Sequence, residues 1–146
     1  MYRSIANRHI NLGIVTYMMK KYANVLVVED DKTSAFLLKL MLLESDLVGS
    51  IAITSNGQEA LDYLSRLKVS GGKYPEIIFL DINMPVMDGF DFLEASKHIG
   101  FRENEKVKVI ILTSSVHEQD IRKAKAFGVT NYLVKPISEE AILAAI

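Results

Sequence analysis

Five short runs of uninterrupted apolar residues punctuate the chain: VLVV at 25–28, IAIT at 51–54, IIFL at 77–80, VIIL at 109–112 and YLV at 132–134. Each has the length of a strand, and none alternates apolar with polar positions, which is the pattern of strands covered on both faces of a parallel sheet. Between the runs lie amphipathic stretches of helical spacing. Two of them open on capping-box signals, Asn56 with Glu59 three residues on and Ser115 with Glu118. Asp88, just before Gly89 and the apolar pattern of a third helix, reads as a further cap. Strand and helix therefore alternate from Asn24 onward, predicting an α/β fold with a doubly wound parallel sheet and right-handed crossovers. No internal repeat, low-complexity tract or linker divides it.

The start of the chain stands outside this pattern. Basic residues precede the apolar stretch Ile10 to Met19, a superficial likeness to a secretory leader. Asn11 and Thr16 interrupt that stretch, Lys20 and Lys21 stand where small cleavage-site residues belong, and it is too short to span a bilayer. Residues 1–18 are accordingly read as an extension and 19–146 as the domain. A length of 146 residues, 49% hydrophobic and 24% charged, suits one globular domain with a sizeable core. A net charge of −1 supplies no basic field for nucleic acid or an anionic membrane. The absence of cysteine excludes disulfides, thiolate metal sites and cysteine nucleophiles, and suits a cytoplasmic location.

Candidate chemistry gathers where open α/β sheets place their ligands, at the carboxyl ends of the strands. Glu29, Asp30 and Asp31 follow the first strand, and Asp81 ends the third. The fourth ends in Thr113, Ser114 and Ser115, and the fifth in Lys135 and Pro136. The second ends in uncharged Thr54 and Ser55. Clustered carboxylates repel one another and call for a hard cation such as Mg²⁺. Asp30 and Asp81 are the expected holders of that ion, with Lys135 as a point charge and Thr113 as a donor to phosphoryl oxygens. Asp81, facing these partners, becomes a nucleophile that forms an acyl phosphate. Lys135 has to turn back toward the site directly after its strand, and a cis Lys135–Pro136 bond is expected to allow it. Asp31 is read as solvated, and His9, His98 and His117 share no ligand spacing.

In combination, "VVEDD", "LDINMPVMDG", "ILTSS" and "YLVKP" resemble the receiver domain of two-component response regulators, from Met19 to the end. The resemblance implies a flavodoxin-like (βα)5 sandwich with sheet order 2-1-3-4-5. It makes Asp81 the phosphorylated residue, and Asp30 and the Asn83 backbone carbonyl metal ligands beside it. Glu29 supports the Mg²⁺ from behind, Lys135 binds the phosphoryl group, and Thr113 with Tyr132 forms a switch. Phosphorylation is expected to draw Thr113 inward and turn Tyr132 from an exposed to a buried position. A sensor histidine kinase or hybrid kinase is the implied donor, and a downstream protein target or phosphotransfer protein the implied receiver of the signal. Helix four, strand five and helix five form the expected face for partners or a homodimer. The implied activity is that of a stand-alone, chemotaxis-type signalling switch that assists its own phosphorylation without being a conventional enzyme. Two alternatives compete. Haloacid-dehalogenase-type phosphatases use a similar set, but need a second aspartate two residues beyond the nucleophile as general acid, and here Asn83 holds that position. A pseudo-receiver acting only by protein contact is disfavoured because Glu29, Asp30, Asp81, Thr113 and Lys135 are all present.

Overall fold

In the computed structural model, residues 20–104 and 107–146 are described, so the extension expected over 1–18 and the expected first domain residue, Met19, lie outside the described residues. The chain runs through β1 (Tyr22–Val28), α1 (Lys32–Glu44), β2 (Val48–Thr54), α2 (Gly57–Ser70), β3 (Ile77–Asp81) and α3 (Gly89–Ser96). A helical turn at Phe101–Asn104 leads into β4 (Lys108–Thr113), α4 (Glu118–Ala126), β5 (Asn131–Val134) and α5 (Glu139–Ala145). All pairings are parallel and the sheet order is β2-β1-β3-β4-β5, as expected.

Strand alternation divides the core in two. Val25 and Val27 of β1, with Ile77 and Phe79 of β3, pack against Ala35, Leu38 and Leu42 of α1 and Ile142 of α5. Leu26, Val28, Ile78 and Leu80 face the other way, onto Leu61 and Leu64 of α2, Phe92 and Leu93 of α3, and Ala124 of α4. Burial on both faces holds for the central strands, where every residue of β3 is buried. It fails at the edge strand β2, where Ile53 is 42% exposed, because only one neighbour pairs with that strand.

All the strands but β3 also begin earlier than their apolar runs. Tyr22 pairs with Val48, so hydrogen bonding carries β1 and β2 past the uniformly apolar segment. The helical turn at Phe101–Asn104 carried no periodic signal, yet it seats Phe101 at 0% exposure beside Tyr74. Two of the three expected caps form. Asn56 accepts from the Glu59 amide at 2.9 Å, and the returning Glu59 carboxylate takes the Ser55 amide at 2.8 Å. Asp88 caps α3 through the Asp91 amide at 2.8 Å. The capping box at Ser115 is not formed. α4 starts at Glu118 with His117 in the cap position and no side-chain cap bond. Ser115 is diverted, its backbone held by Thr113 and its hydroxyl 2.9 Å from His117 Nε2.

Candidate functional site

Parallel register brings the strand ends level. Val28 pairs with Leu80 and with Thr54, Asp81 with Leu112, and Thr113 with Val134, so Glu29, Asp81, Thr113 and Lys135 emerge along one rim. The third strand delivers Asp81 with its residue 4% exposed, a depth an isolated charge tolerates only beside compensating groups. Lys135 supplies one, with Nζ 3.1 Å from Asp81 Oδ2, and the Asn83 amide supplies another, donating to Oδ1 at 3.0 Å. That backbone hydrogen bond folds the loop after β3 around the carboxylate. Gly89 closes the same loop from the far side. Its amide donates to the Ile82 carbonyl at 3.2 Å, and a Cβ there would stand 2.6 Å from the Asp81 carbonyl oxygen.

Glu29 is 3% exposed behind Asp81. Its Oε1 accepts from the Asp31 amide at 3.1 Å. Oε2 lies 2.6 Å from Lys135 Nζ, an ion pair made inside the site. Burial pushes the Glu29 carboxyl up to about 7, aided by the neighbouring Asp81 charge, while Lys135 and the Asp31 amide pull the other way. For Lys135, burial favours the neutral amine, but contact with Glu29 and Asp81 outweighs it and holds the ammonium above its ordinary range. Carboxylate oxygens of Glu29, Asp30 and Asp81 lie within 4.8 Å of one another. Oxygen donors and the mutual repulsion of three carboxylates together fit a hard divalent cation.

Four of the expected residues thus come together: Lys135 touches Glu29 and Asp81, and Asp30 places a carboxylate oxygen within 4.8 Å of theirs. The expected cis Lys135–Pro136 bond is present. Thr113 is buried at the same rim but turned toward its own loop, its hydroxyl donating to the Ser115 carbonyl at 2.6 Å. Tyr132, expected to start exposed, is instead half-buried, with its hydroxyl shared between the Ile121 and Val129 carbonyls at 3.2 and 3.3 Å. Burial raises its phenol above the usual range. Asp31, read as solvated, has a definite job: it caps α1 by accepting the Ser34 amide at 2.6 Å, and that bond holds its carboxyl below the usual range. An aspartate directly before the helical pattern was the signal for that cap. Sequence reasoning also missed the cleft of about 430 Å³ beside Lys135, lined by Ser34, Leu37, Leu38, Met41, Ser114 and Ile137 among others. No motif marks it, because its walls come from separate elements.

Comparison with known proteins points one way. Residues 25–146 match the family described as the response regulator receiver domain. A probable methanogenesis regulatory protein, FilR2 of Methanothrix harundinacea, is 34% identical over 117 residues, 80% of this chain and 74% of that one. The sensor histidine kinase CheAY of Helicobacter pylori is 31% identical over 116 residues, 80% of this chain but 13% of that one. The crystal structure of a two-component response regulator from Cytophaga hutchinsonii superposes with a TM-score of 0.76 at 30% identity, covering 86% of this chain and 94% of that one.

Proposed function

The chain belongs to the response regulator receiver family, and on that premise we propose that Asp81 is the phosphoacceptor of a phosphorylation-dependent signalling switch. The observation that carries the reading is the pairing of a buried strand-end carboxylate with Lys135 at 3.1 Å, among two further carboxylates within 4.8 Å. The family is a signalling module and not a conventional enzyme class, so the phosphatase alternative falls away. Receiver domains act with histidine kinases, and a phosphohistidine of such a kinase is the donor we assign. Asp81 attacks phosphorus, the P–N bond breaks, and the electron pair leaves with the imidazole, giving an acyl phosphate. Lys135, already beside Oδ2, neutralises the incoming phosphoryl oxygens, and the Asn83 amide keeps Oδ1 oriented. Asp30 and Asp81 with the Asn83 carbonyl are the ligands we assign to Mg²⁺, and Glu29 holds Lys135 and Asp31 behind them. When bound, Mg²⁺ supplies charge neutralisation to the phosphoryl oxygens. The receiver unit takes in residues 19–146 on this reading, with 1–18 as an extension.

Acetyl phosphate with Mg²⁺ should add one phosphoryl group, labile to hydroxylamine. Full labelling of an Asp81→Asn variant would sink the assignment. Asp30→Ala should weaken Mg²⁺ at least about tenfold, since even partners behind the ligands are typically worth that much, and should depress labelling with it. An unchanged Mg²⁺ titration would show that Asp30 is not a ligand.

A further inference from the structure

The two edges of the sheet are built differently. β5 presents four residues, Asn131–Val134, and is closed off by Lys135 and Pro136. β2 presents seven, Val48–Thr54, with the sequence VGSIAIT, and among the described residues it pairs with β1 alone. Natural edges are blunted by charge, by proline or by brevity. β2 has none of these, and Ile53 stands 42% exposed upon it.

Such an edge is a template for a further strand, and its sequence says which one. Turned antiparallel about Ile51, VGSIAIT meets itself with Ile51 opposite Ile51, Ser50 opposite Ala52, Gly49 opposite Ile53 and Val48 opposite Thr54. Glycine faces isoleucine, and no charge meets another. The helices fit the same symmetry. α2 runs back along β2, as the helix of a parallel crossover must. Glu59 therefore lies by the end of the strand, its carboxylate on the Ser55 amide, and Arg66 lies about 10 Å further down. Glu59, Asp62 and Arg66 together line a cleft with Ala52, Ile53 and Thr54. A twofold axis through Ile51 reverses one copy, so the acidic end of each α2 flank faces the basic end of the other. On the opposite face of the sheet, α1 turns Leu37 and Met41 to the cleft shared with Pro136 and Ile137. Its other flank, toward β2, carries Phe36, Leu40 and Leu43, exposed by 57%, 39% and 46%. The same axis sets Phe36 of one copy toward Leu43 of the other. Lys39, between them, has a stem long enough to return its ammonium to water.

We propose that β2 is the self-pairing edge of a homodimer, in which two copies join antiparallel about Ile51 into one continuous sheet. The interface is isologous and closes on itself, whereas β2 against the short β5 edge of another copy would propagate without closing. The face made by α4, β5 and α5 stays free at the far edge. The dimer accordingly forms whether or not Asp81 carries a phosphoryl group.

Sedimentation of the full chain at about 100 μM, where even weak assemblies register, should give a dimer with or without acetyl phosphate. A monomer in the absence of the phosphodonor overturns the proposal. Ile53→Lys should weaken the dimer at least about tenfold, since like charges then enter the shared edge. A dimer as tight as the parent's places the interface elsewhere. Asp62→Arg and Arg66→Asp, both at exposed positions, test the pairing of the helices without touching the core. Each alone should weaken the dimer several-fold, and the two together should restore it. Single variants as tight as the parent, or a double variant that fails to recover, overturn the twofold arrangement. The chain has no cysteine, so one introduced cysteine reports the register. Ile51→Cys stands opposite its own copy within disulfide reach, whereas Ile53→Cys is about 14 Å from its counterpart. Mild oxidation should cross-link the half-buried position 51 at least about tenfold faster than the more exposed position 53. Equal rates overturn the proposal. None of these readouts depends on Asp81, so failure here is distinct from failure of the phosphoacceptor reading.

Discussion

Glu29 is held between opposing demands, and they set the pH behaviour of the site. Burial pushes its carboxyl from 4.5 to about 7. Between those values the folded chain keeps a proton that the unfolded chain has released, so the folded state binds more protons and stability falls as pH rises through that window. The full penalty is present above about 7. A divalent cation acts in the opposite sense, because it binds the ionised carboxylates and competes with the proton. Thermal melts in chelator should therefore show the melting temperature dropping between pH 5 and 8, with Mg²⁺ raising it more at the alkaline end. Glu29→Gln should flatten that dependence. A Mg²⁺ effect of the same size at both ends of the range would mean that Glu29 does not titrate in the window assigned to it. That Glu29, Asp30, Asp81 and Lys135 gather at one rim was legible in the sequence, since all four stand at strand ends. The elevated carboxyl of Glu29 was not legible, because it comes from burial contributed by other elements.

The loop from Ile82 to Asp88 shows what local pattern does and does not encode at the scale of an element. Val86 sits at φ 74°, in the left-handed region, and is 86% exposed. A β-branched residue is poorly suited to that region, where the cost to an L-residue is about 1–2 kcal/mol. Val86→Gly should stabilise the chain by up to about 1 kcal/mol, part of the relief being offset by the greater freedom of the unfolded glycine. Gly89 is the opposite case. A Cβ there would approach the Asp81 carbonyl oxygen to 2.6 Å and the Ile82 Cα to 2.8 Å, both backbone atoms that cannot swing aside. Gly89→Ala should cost about 1–3 kcal/mol as an overpacked site and slow labelling of Asp81 by displacing its loop. Urea titration of both variants checks the signs, and a neutral Gly89→Ala would show that the loop has more room than these contacts allow. Helix starts obey the same division. Asn56 and Asp88 were readable as caps because their bonds lie within a few residues of sequence. The Ser115 signal misled because Thr113, at the end of a strand, captured the serine backbone first. Edge exposure of Ile53 was hidden for a related reason: an apolar run does not say how many neighbours its strand will have.

Across the whole molecule, Thr113 and Tyr132, the two residues expected to form a switch, are both tied to α4. Thr113 holds the loop before that helix through the Ser115 carbonyl at 2.6 Å, and Tyr132 holds its middle through the Ile121 carbonyl at 3.2 Å. They stand on adjacent strands, with Thr113 paired to Val134 and Ile111 to Tyr132. A small gap lined by Ile82, Phe90, Thr113, His117, Ile121 and Tyr132 lies between them. A phosphoryl group on Asp81 offers Thr113 a charge-assisted hydrogen bond, stronger than the neutral bond to Ser115 that it would replace. Release of Ser115 frees the start of α4, and Tyr132 then has to choose between following the helix and settling further into the gap. On the proposed phosphoacceptor reading, the surface of α4, β5 and α5 would become a two-state element biased by the phosphate, and it is the face expected to meet a partner or a second copy. Tyr132→Phe, which removes both hydroxyl contacts, should cost about 1 kcal/mol and loosen α4 without preventing phosphorylation. Thr113→Ala should still accept phosphate on Asp81 yet lose the downstream change. Amide chemical shifts at Tyr132 and Ile121 should move when beryllofluoride is added to the parent and stay nearly still in the alanine variant. Equal shifts in both proteins would show that the coupling bypasses Thr113 and that the responding face lies elsewhere on the sheet.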